Sequence, residues 1–276
     1  MGEALADGFR EVRSAGHRVV FAEALAPDLE TLGWLEPDGF PQLVGTGTAM
    51  ATGRVETLRY DLPGSGLPIL VRRVFHGGLL GGFLRGALHS PERAFRELRV
   101  TAALHDAGAP VPRPALAAAR RRGLAWHAWV ATGFEADARD VLAFFARKPS
   151  RDRILAAAAA GGRAIRRFHD AGGTHADLHV KNVLIRETPA GPEAILVDLD
   201  GAGFGEPPGP ARRMRELARL HRSALKRGLR VDFETNRAVL AGYVGEDGAL
   251  GAALGRHWPR EQRRVAIHAL GYRKAD

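Results

Sequence analysis

The octapeptide His175-Ala176-Asp177-Leu178-His179-Val180-Lys181-Asn182 is followed, sixteen residues beyond Asn182, by Asp198-Leu199-Asp200. Together they hold the side chains that moving a phosphoryl group onto a hydroxyl would require. In that chemistry a carboxylate orients the attacking hydroxyl and accepts its proton, which Asp177 can do. An amide oxygen five residues later, on Asn182, can reach a magnesium ion, and a second carboxylate, Asp198, can hold the ion between the phosphates of a nucleotide. His175 is expected to brace the loop by hydrogen bonding, and Leu178 and Val180 to pack beneath it. With eleven His, fifteen Asp and two Asn in the chain, the pattern H-x-D-x-x-x-x-N is expected by chance only about 0.004 times. A competing use of these residues is a zinc site from His175, Asp177 and His179, but no third His lies at a useful helical spacing nearby.

Such loops must be held by regular elements, and the surrounding pattern supplies them. Residues 1–134 read as short β-like pieces at Arg18–Glu23, Phe40–Gly45, Gly53–Asp61 and Pro68–Phe75. Two more, Arg113–Ala119 and Ala125–Thr132, flank the polar turn Arg120-Arg121-Arg122-Gly123. One helix interrupts them, with Ser90 as N-cap and Pro91 in the first turn, running to about Ala107 and closed by Gly108. Beyond this region the pattern turns helical, with Arg139–Arg147 and then Arg151–Ala171, ended by Gly172-Gly173. The loop Thr174–Lys181 leads to strands at Asn182–Arg186 and Ala194–Val197, and helices at Ala211–Arg227 and 234–254 complete the chain. The predicted fold is α+β and bilobal. A β-rich N-lobe, 1–134, would cover a nucleotide, and a mainly helical C-lobe, 135–276, would carry the catalytic loop, the metal site and the acceptor site. The loop spacing matches that of phosphotransferases with the protein-kinase fold, so a protein-kinase-like architecture is expected.

That architecture needs a cover for the phosphates and a cation beside them. Gly45-Thr46-Gly47-Thr48-Ala49 lies between two predicted strands, as a phosphate-covering turn would, although Met50 stands where a third glycine is usual. The usual lysine is missing, because the first lysine of the chain is Lys148. Arg72, in Ile69-Leu70-Val71-Arg72-Arg73, can take its place, with Glu97 of the embedded helix as partner, since a guanidinium fork bridges phosphate and carboxylate. Whether Arg72 or Arg73 does so depends on strand register. The plainer alternative for Glu97 is a surface ion pair with Arg93. Adenine is expected to stack near the lobe connection, Val130 to Phe134, including Ala131 and Gly133, through backbone hydrogen bonds.

These segments resemble the 3-deoxy-D-manno-octulosonic acid (Kdo) kinases of the lipopolysaccharide kinase group. The likeness rests on Val71-Arg72-Arg73 with His76-Gly77-Gly78-Leu79-Leu80, Arg93-Ala94-Phe95-Arg96-Glu97, and Leu104-His105-Asp106-Ala107-Gly108-Ala109-Pro110-Val111-Pro112-Arg113-Pro114. It continues through Arg167-Phe168-His169-Asp170-Ala171-Gly172, the His175 loop, Val197-Asp198-Leu199-Asp200-Gly201 and Leu217-Ala218-Arg219-Leu220-His221-Arg222-Ser223. It covers residues 40–228, and residues 1–39 and 229–276 match poorly. The resemblance implies a protein-kinase-like fold and ATP- and Mg2+-dependent phosphorylation of a Kdo sugar on a lipid A precursor at the cytoplasmic face of the inner membrane. It also implies Asp177 as base, Asn182 and Asp198 as magnesium ligands, and Arg72 with Glu97 on the phosphate side.

Composition bears on the partner. The net charge is +9, which favours an anionic partner, although 36 of the 40 basic residues are arginine and that skew also suits a coding bias. The density of Arg212, Arg213, Arg215, Arg219, Arg222, Lys226 and Arg227 would suit a lipid-linked anionic sugar, with His179, Lys181, Arg219 and Arg222 as acceptor contacts, or else a solvated helix face partnered by Glu216. No aromatic residue interleaves with 212–230, which argues against nucleic acid. The absence of cysteine excludes disulfides and thiolate chemistry. No apolar run approaches membrane-spanning length, and Glu3 and Asp7 do not suit a signal peptide, so a cytoplasmic protein with peripheral contact to an anionic inner-membrane face is expected. No A-P-E stretch or long activation segment follows Asp200, which disfavours a protein substrate. A heptose kinase, a kinase for another small alcohol, and a non-catalytic kinase-fold binding protein remain as alternatives. The sequence is silent on oligomeric state.

Overall fold

The computed structural model describes residues 7–14, 16–36, 39, 47–50, 57–75, 88–229 and 231–272, with side chains to residue 265. The chain divides into two compact units, Met1–Ala103 with Pro112–Glu135, and Leu104–Val111 with Ala136–Asp276. The first is β-rich and the second mainly helical, the α+β division expected from the sequence. The segment Leu104–Val111 groups with the second unit, although its place in the chain is within the first.

Among the described residues of the first unit, seven strands form one antiparallel sheet. They are β1 (Phe9–Ser14), β2 (His17–Ala22), β3 (Thr48–Met50), β4 (Thr57–Asp61), β5 (Pro68–Val74), β6 (Pro114–Arg122) and β7 (Ala125–Gly133), in the order β1-β2-β6-β7-β5-β4-β3. Both faces are covered. Helix α1 (Ala26–Thr31) contributes Ala26 and Leu29 to a core with Val19, Phe21, Ile69, Val71, Leu116 and Trp129. Helix α2 (Glu92–Asp106) contributes Ala94, Phe95 and Leu98 to a second core with Val20, Val74, Ala117, Ala119 and Val130. The central strand β6 is accordingly buried without alternation from Pro114 to Ala119, and its small side chains let layers pack on both sides. Because successive side chains change faces, Ile69 and Val71 lie with α1 while Val74 lies with α2. Arg72 therefore shares the α2 face.

The sequence places a polar turn at 120–123, but pairing continues to Arg122 opposite Ala125. The turn is the two residues Gly123-Leu124, with Gly123 at φ 59°, the positive φ that tight hairpin turns demand. Strand β1 has no expected counterpart, since Phe9–Ser14 is a largely polar edge strand. The predicted strand Phe40–Gly45, the glycine Gly45 and the segment His76–Leu80 lie outside the described residues.

The second unit contains β8 (Ala138–Asp140), α3 (Val141–Ala146), α4 (Arg151–Asp170), β9 (Gly173–Thr174), β10 (Val183–Thr188), β11 (Gly191–Leu196), β12 (Gly203–Phe204), α5 (Pro210–Lys226), α6 (Phe233–Val244) and α7 (Gly248–Tyr272). The helix expected over Arg139–Arg147 begins only after Asp140. Residues 138–140 pair with β10 instead, and the Asp140 carboxylate caps α3 by accepting the Ala143 N–H at 2.9 Å. The expected helical region 234–254 is two helices broken at Gly245, whose φ is 57°. Helices α4 and α6 meet at glycines: a Cβ on Gly162 would overlap the Val239 carbonyl, and one on Gly242 the Ala159 carbonyl. Among the described residues no helix is long and apolar enough to cross a membrane.

Candidate active site

Helix α4 ends at Asp170, and Gly172 at φ 85° turns the chain into the short ladder of β9 with β12. The loop 175–182 follows, and backbone groups of His175, Ala176, Asp177, His179, Val180 and Asn182 are hydrogen-bonded. His175 is 1% exposed. Its ring bridges the two chemistry-bearing segments, Nε2 donating to the Val197 carbonyl at 3.2 Å and Nδ1 accepting the Asp177 N–H at 3.2 Å. Burial holds its pKa below 6.5 against the opposing pull of the Val197 carbonyl and of Glu216, Asp198 and Asp177, so the ring is the neutral tautomer that this geometry needs. Asn182 is buried and donates from its side-chain Nδ2 to the Asp177 carbonyl at 3.0 Å, while its backbone carbonyl accepts the Val197 N–H at 3.0 Å. These bonds bring Asp177, Asn182 and Asp198 together.

The side chain of Asp177 is 72% exposed, and His179 Nε2 lies 3.6 Å from its Oδ2. Asp198 is exposed and sits at φ 59°, a left-handed conformation uncommon outside glycine that costs about 1 kcal/mol or more. Such a backbone persists where the surroundings over-determine it, as the Val197 bonds to Asn182 and His175 do here.

Helix α5 holds the loop from the other side with Glu216, Arg219 and Ser223, positions that share one helix face. The Glu216 carboxylate, 3% exposed, accepts the His175 N–H at 2.9 Å and faces His169 Nε2 at 3.1 Å and Arg212 Nε at 3.2 Å. Burial raises its pKa, but the bonds to His169, the His175 amide and Arg212 outweigh that and hold it below the usual 4.5. Ser223 Oγ accepts the Val180 N–H at 3.0 Å. Arg219 Nη1 donates to the His175 carbonyl at 3.3 Å and to the Ala176 carbonyl. Behind Glu216, His169 Nδ1 meets the Tyr243 hydroxyl at 2.7 Å, and Arg213 pairs with Asp170 at 2.6 Å. Arg213, expected on a basic surface stripe, is buried, and Arg219 is engaged with the loop. Arg215 and Arg222 have no ion-pair partner among the described residues. Lys181 is half-buried. Sequence reasoning gave Glu216 only a surface role and His169 none, although both stand inside segments of conspicuous pattern.

In the first unit Arg72 pairs with Glu97, which is 5% exposed, as the β5 register requires. Arg73 turns to the opposite face and meets His127. Gly47 lies beside the Tyr60 ring. Ala131 is fully buried in the sheet, and the N–H groups of Gly133 and Phe134 are taken by the carbonyls of Arg113 (2.7 Å) and Pro68 (2.9 Å). An apolar cavity of about 110 Å³, lined by Phe144, Ala157, Val180, Leu220 and Val239, lies in the second unit and contains none of the loop's carboxylates.

A β-rich unit with helix α2 packed on its sheet and a helical unit carrying this loop are the two halves of a protein-kinase-like fold. The chain belongs to the lipopolysaccharide kinase (Kdo/WaaP) family, whose sequence profile matches residues 70–243. It is 33% identical over 192 residues to the 3-deoxy-D-manno-octulosonic acid kinase of Actinobacillus succinogenes, spanning 67% of this chain and 77% of that protein. To the 3-deoxy-D-manno-octulosonic acid kinase of Xanthomonas campestris pv. campestris (strain B100) it is 40% identical over 134 residues, 49% of this chain and 51% of that one. Its fold is similar to that of WaaP in complex with acyl carrier protein, with a TM-score of 0.53 and 20% identity over 88% of this chain and 99% of that one. It is therefore a kinase, and membership of the family implies ATP and Mg2+.

The residues present fit a magnesium ion. Mg2+ takes oxygen donors and is usually held by one or two protein ligands, the substrate phosphates and waters. Asn182, whose side-chain nitrogen is already engaged and whose side-chain oxygen is an oxygen donor, and the neighbouring Asp198 could make such a pair. Among the described residues no group of three or more His, Asp or Glu is arranged to hold a metal, which magnesium between phosphates does not require.

Proposed function

We propose that the chain transfers the γ-phosphoryl group of ATP to a hydroxyl of a Kdo residue on a lipid A precursor. The observation that carries the reading is the contrast at Asp177. The peptide before it and the carbonyl after it are all hydrogen-bonded, while its carboxylate is 72% exposed. A group so presented can orient an acceptor hydroxyl and take its proton as the phosphoryl group leaves ATP. Asn182 and Asp198 would hold magnesium, which when bound neutralises the phosphate charge. Arg72, oriented by Glu97, would bind phosphate oxygens. Gly45 and Gly47 would cover the phosphates. Adenine would rest near Ala131 and Gly133 by packing, since the Gly133 and Phe134 N–H groups are engaged. Arg222, His179 and Lys181 would meet the anionic acceptor. A lipid-linked acceptor would put the protein in the cytoplasm, in peripheral contact with the anionic face of the inner membrane.

Transfer of labelled phosphate from Mg·ATP to a Kdo-bearing lipid A precursor tests the reading. Asp177→Ala should lower transfer by about 10²-fold or more while nucleotide binding persists. Wild-type turnover in that variant would overturn the role of Asp177. A wild type that binds nucleotide but labels a heptose-bearing lipid alone would overturn the acceptor.

A further inference from the structure

The peptide unit joining Ala176 to Asp177 is held at both ends. Its N–H, on Asp177, goes to His175 Nδ1 at 3.2 Å, and its carbonyl, on Ala176, receives the guanidinium of Arg219. The same guanidinium nitrogen reaches the His175 carbonyl at 3.3 Å. Rotation of this peptide plane would swing the Asp177 Cα and its carboxylate, so what fixes the plane fixes the reacting group. His175 alone constrains one edge. Arg219 closes the other, and it does so from α5, whose Glu216 already holds the His175 N–H at 2.9 Å and whose Ser223 holds the Val180 N–H at 3.0 Å. One helix thus supplies an acceptor, a donor and a second acceptor to successive groups of the loop.

We propose that Arg219 is a positioning residue for phosphoryl transfer, acting through the Ala176–Asp177 peptide, and that anionic acceptors are met by other cations. The neighbouring Arg215 and Arg222 lie one helical turn to either side on α5 without an ion-pair partner among the described residues. The inference rests on Asp177 orienting the acceptor hydroxyl. It differs from a plain stabilising role because it predicts a change in turnover that folding and substrate binding do not share.

Arg219→Ala, Arg219→Gln and Arg219→Lys are compared with the wild type and with Asp177→Ala in the same transfer assay, with KM measured for both ATP and acceptor. A misplacement of about 1 Å at a reacting group can cost roughly 10²-fold. Arg219→Ala should therefore lose 10- to 100-fold in kcat with both KM values within about twofold. Arg219→Lys, whose ammonium can still reach a carbonyl, should recover part of the loss, and added guanidinium should partly restore Arg219→Ala. If Arg219→Ala does not fold, the Lys and Gln variants carry the test. A raised acceptor KM with unchanged kcat would make Arg219 an acceptor ligand and overturn the proposal, as would unchanged kinetics or a kcat loss explained by a matching loss of folded protein. Should Asp177→Ala itself retain full activity, the underlying reading fails. If only the Arg219 variants keep wild-type kcat, the positioning inference fails alone.

Discussion

At the scale of the residue, Glu216 shows how a buried charge is made tolerable and useful. A carboxylate that is 3% exposed would be driven neutral by burial alone, yet it receives the His175 amide, His169 and Arg212. Removing one partner of such a cluster strands the others, a loss of about 3–5 kcal/mol. Glu216→Ala should therefore destabilise the protein by roughly that amount in urea unfolding. The pH dependence follows from its lowered pKa. The unfolded carboxylate binds a proton more readily than the folded one, so the stabilisation is fully present above about pH 4.5 and is lost as pH falls through the lower folded value. Glu216→Gln should weaken this acid-side slope, seen by unfolding at a series of pH values between about 3 and 7. A slope identical to that of the wild type would mean that other carboxylates dominate acid unfolding. The Arg72–Glu97 pair makes a complementary point. The sequence favours Arg72 but leaves the choice between it and Arg73 to strand register, and the alternation of β5 between its two covered faces directs Arg72 toward α2.

At the scale of the element, small residues decide where helices meet. Gly161 and Gly162 are adjacent in α4, but only Gly162 faces the α6 backbone; a Cβ on Gly161 would meet nothing within 4 Å. Gly162→Ala should destabilise by about 1–3 kcal/mol through overpacking, whereas Gly161→Ala should be neutral or stabilising by roughly 0.5–1 kcal/mol as a helix-interior glycine is removed. Thermal melts of the two variants check this, and equal shifts would remove the case for a glycine-mediated crossing. The difference between the two glycines is not legible in the sequence, because it depends on the backbone that faces Gly162 from about eighty residues away in the chain. The same limit explains other differences. Strand β8 reads as the start of a helix because its pairing partner β10 lies far along the chain. The chemistry-bearing loop, by contrast, is legible because Asp177, Asn182 and Asp198 are tied by short-range spacing. Its supports, Glu216 and Arg219, are not, since their partners are backbone groups 41 to 44 residues away.

At the scale of the whole molecule, the net charge of +9 survives all internal pairing, because each ion pair removes one charge of either sign. Many arginines are structural: Arg72 with Glu97, Arg151 with Asp232 and Glu234, Arg153 with Glu187, Arg166 with Asp170 and Asp247, and Arg213 with Asp170. The excess must then sit on cations without acidic partners. In the second unit these include Arg215 and Arg222 on α5, Arg237 on α6, and Arg256, Arg260 and Arg263 on α7, none of which has an ion-pair partner among the described residues. The last three recur at helical spacing, so they share one face of α7. A lipid-linked acceptor would bring that charge close to anionic headgroups, where each basic side chain contributes about 1 kcal/mol. The protein should therefore bind vesicles containing anionic lipid and ignore zwitterionic ones. Binding should fade as salt rises from about 0.1 M to 1 M and the screening length falls from roughly 10 to 3 Å. Replacing Arg256, Arg260 and Arg263 with Gln should weaken vesicle binding roughly a hundredfold at low salt and leave transfer to a water-soluble Kdo acceptor unchanged. Co-sedimentation with the two vesicle types measures it. Salt-independent binding, or binding untouched by the triple substitution, would show that attraction to the bilayer does not arise from this excess of charge.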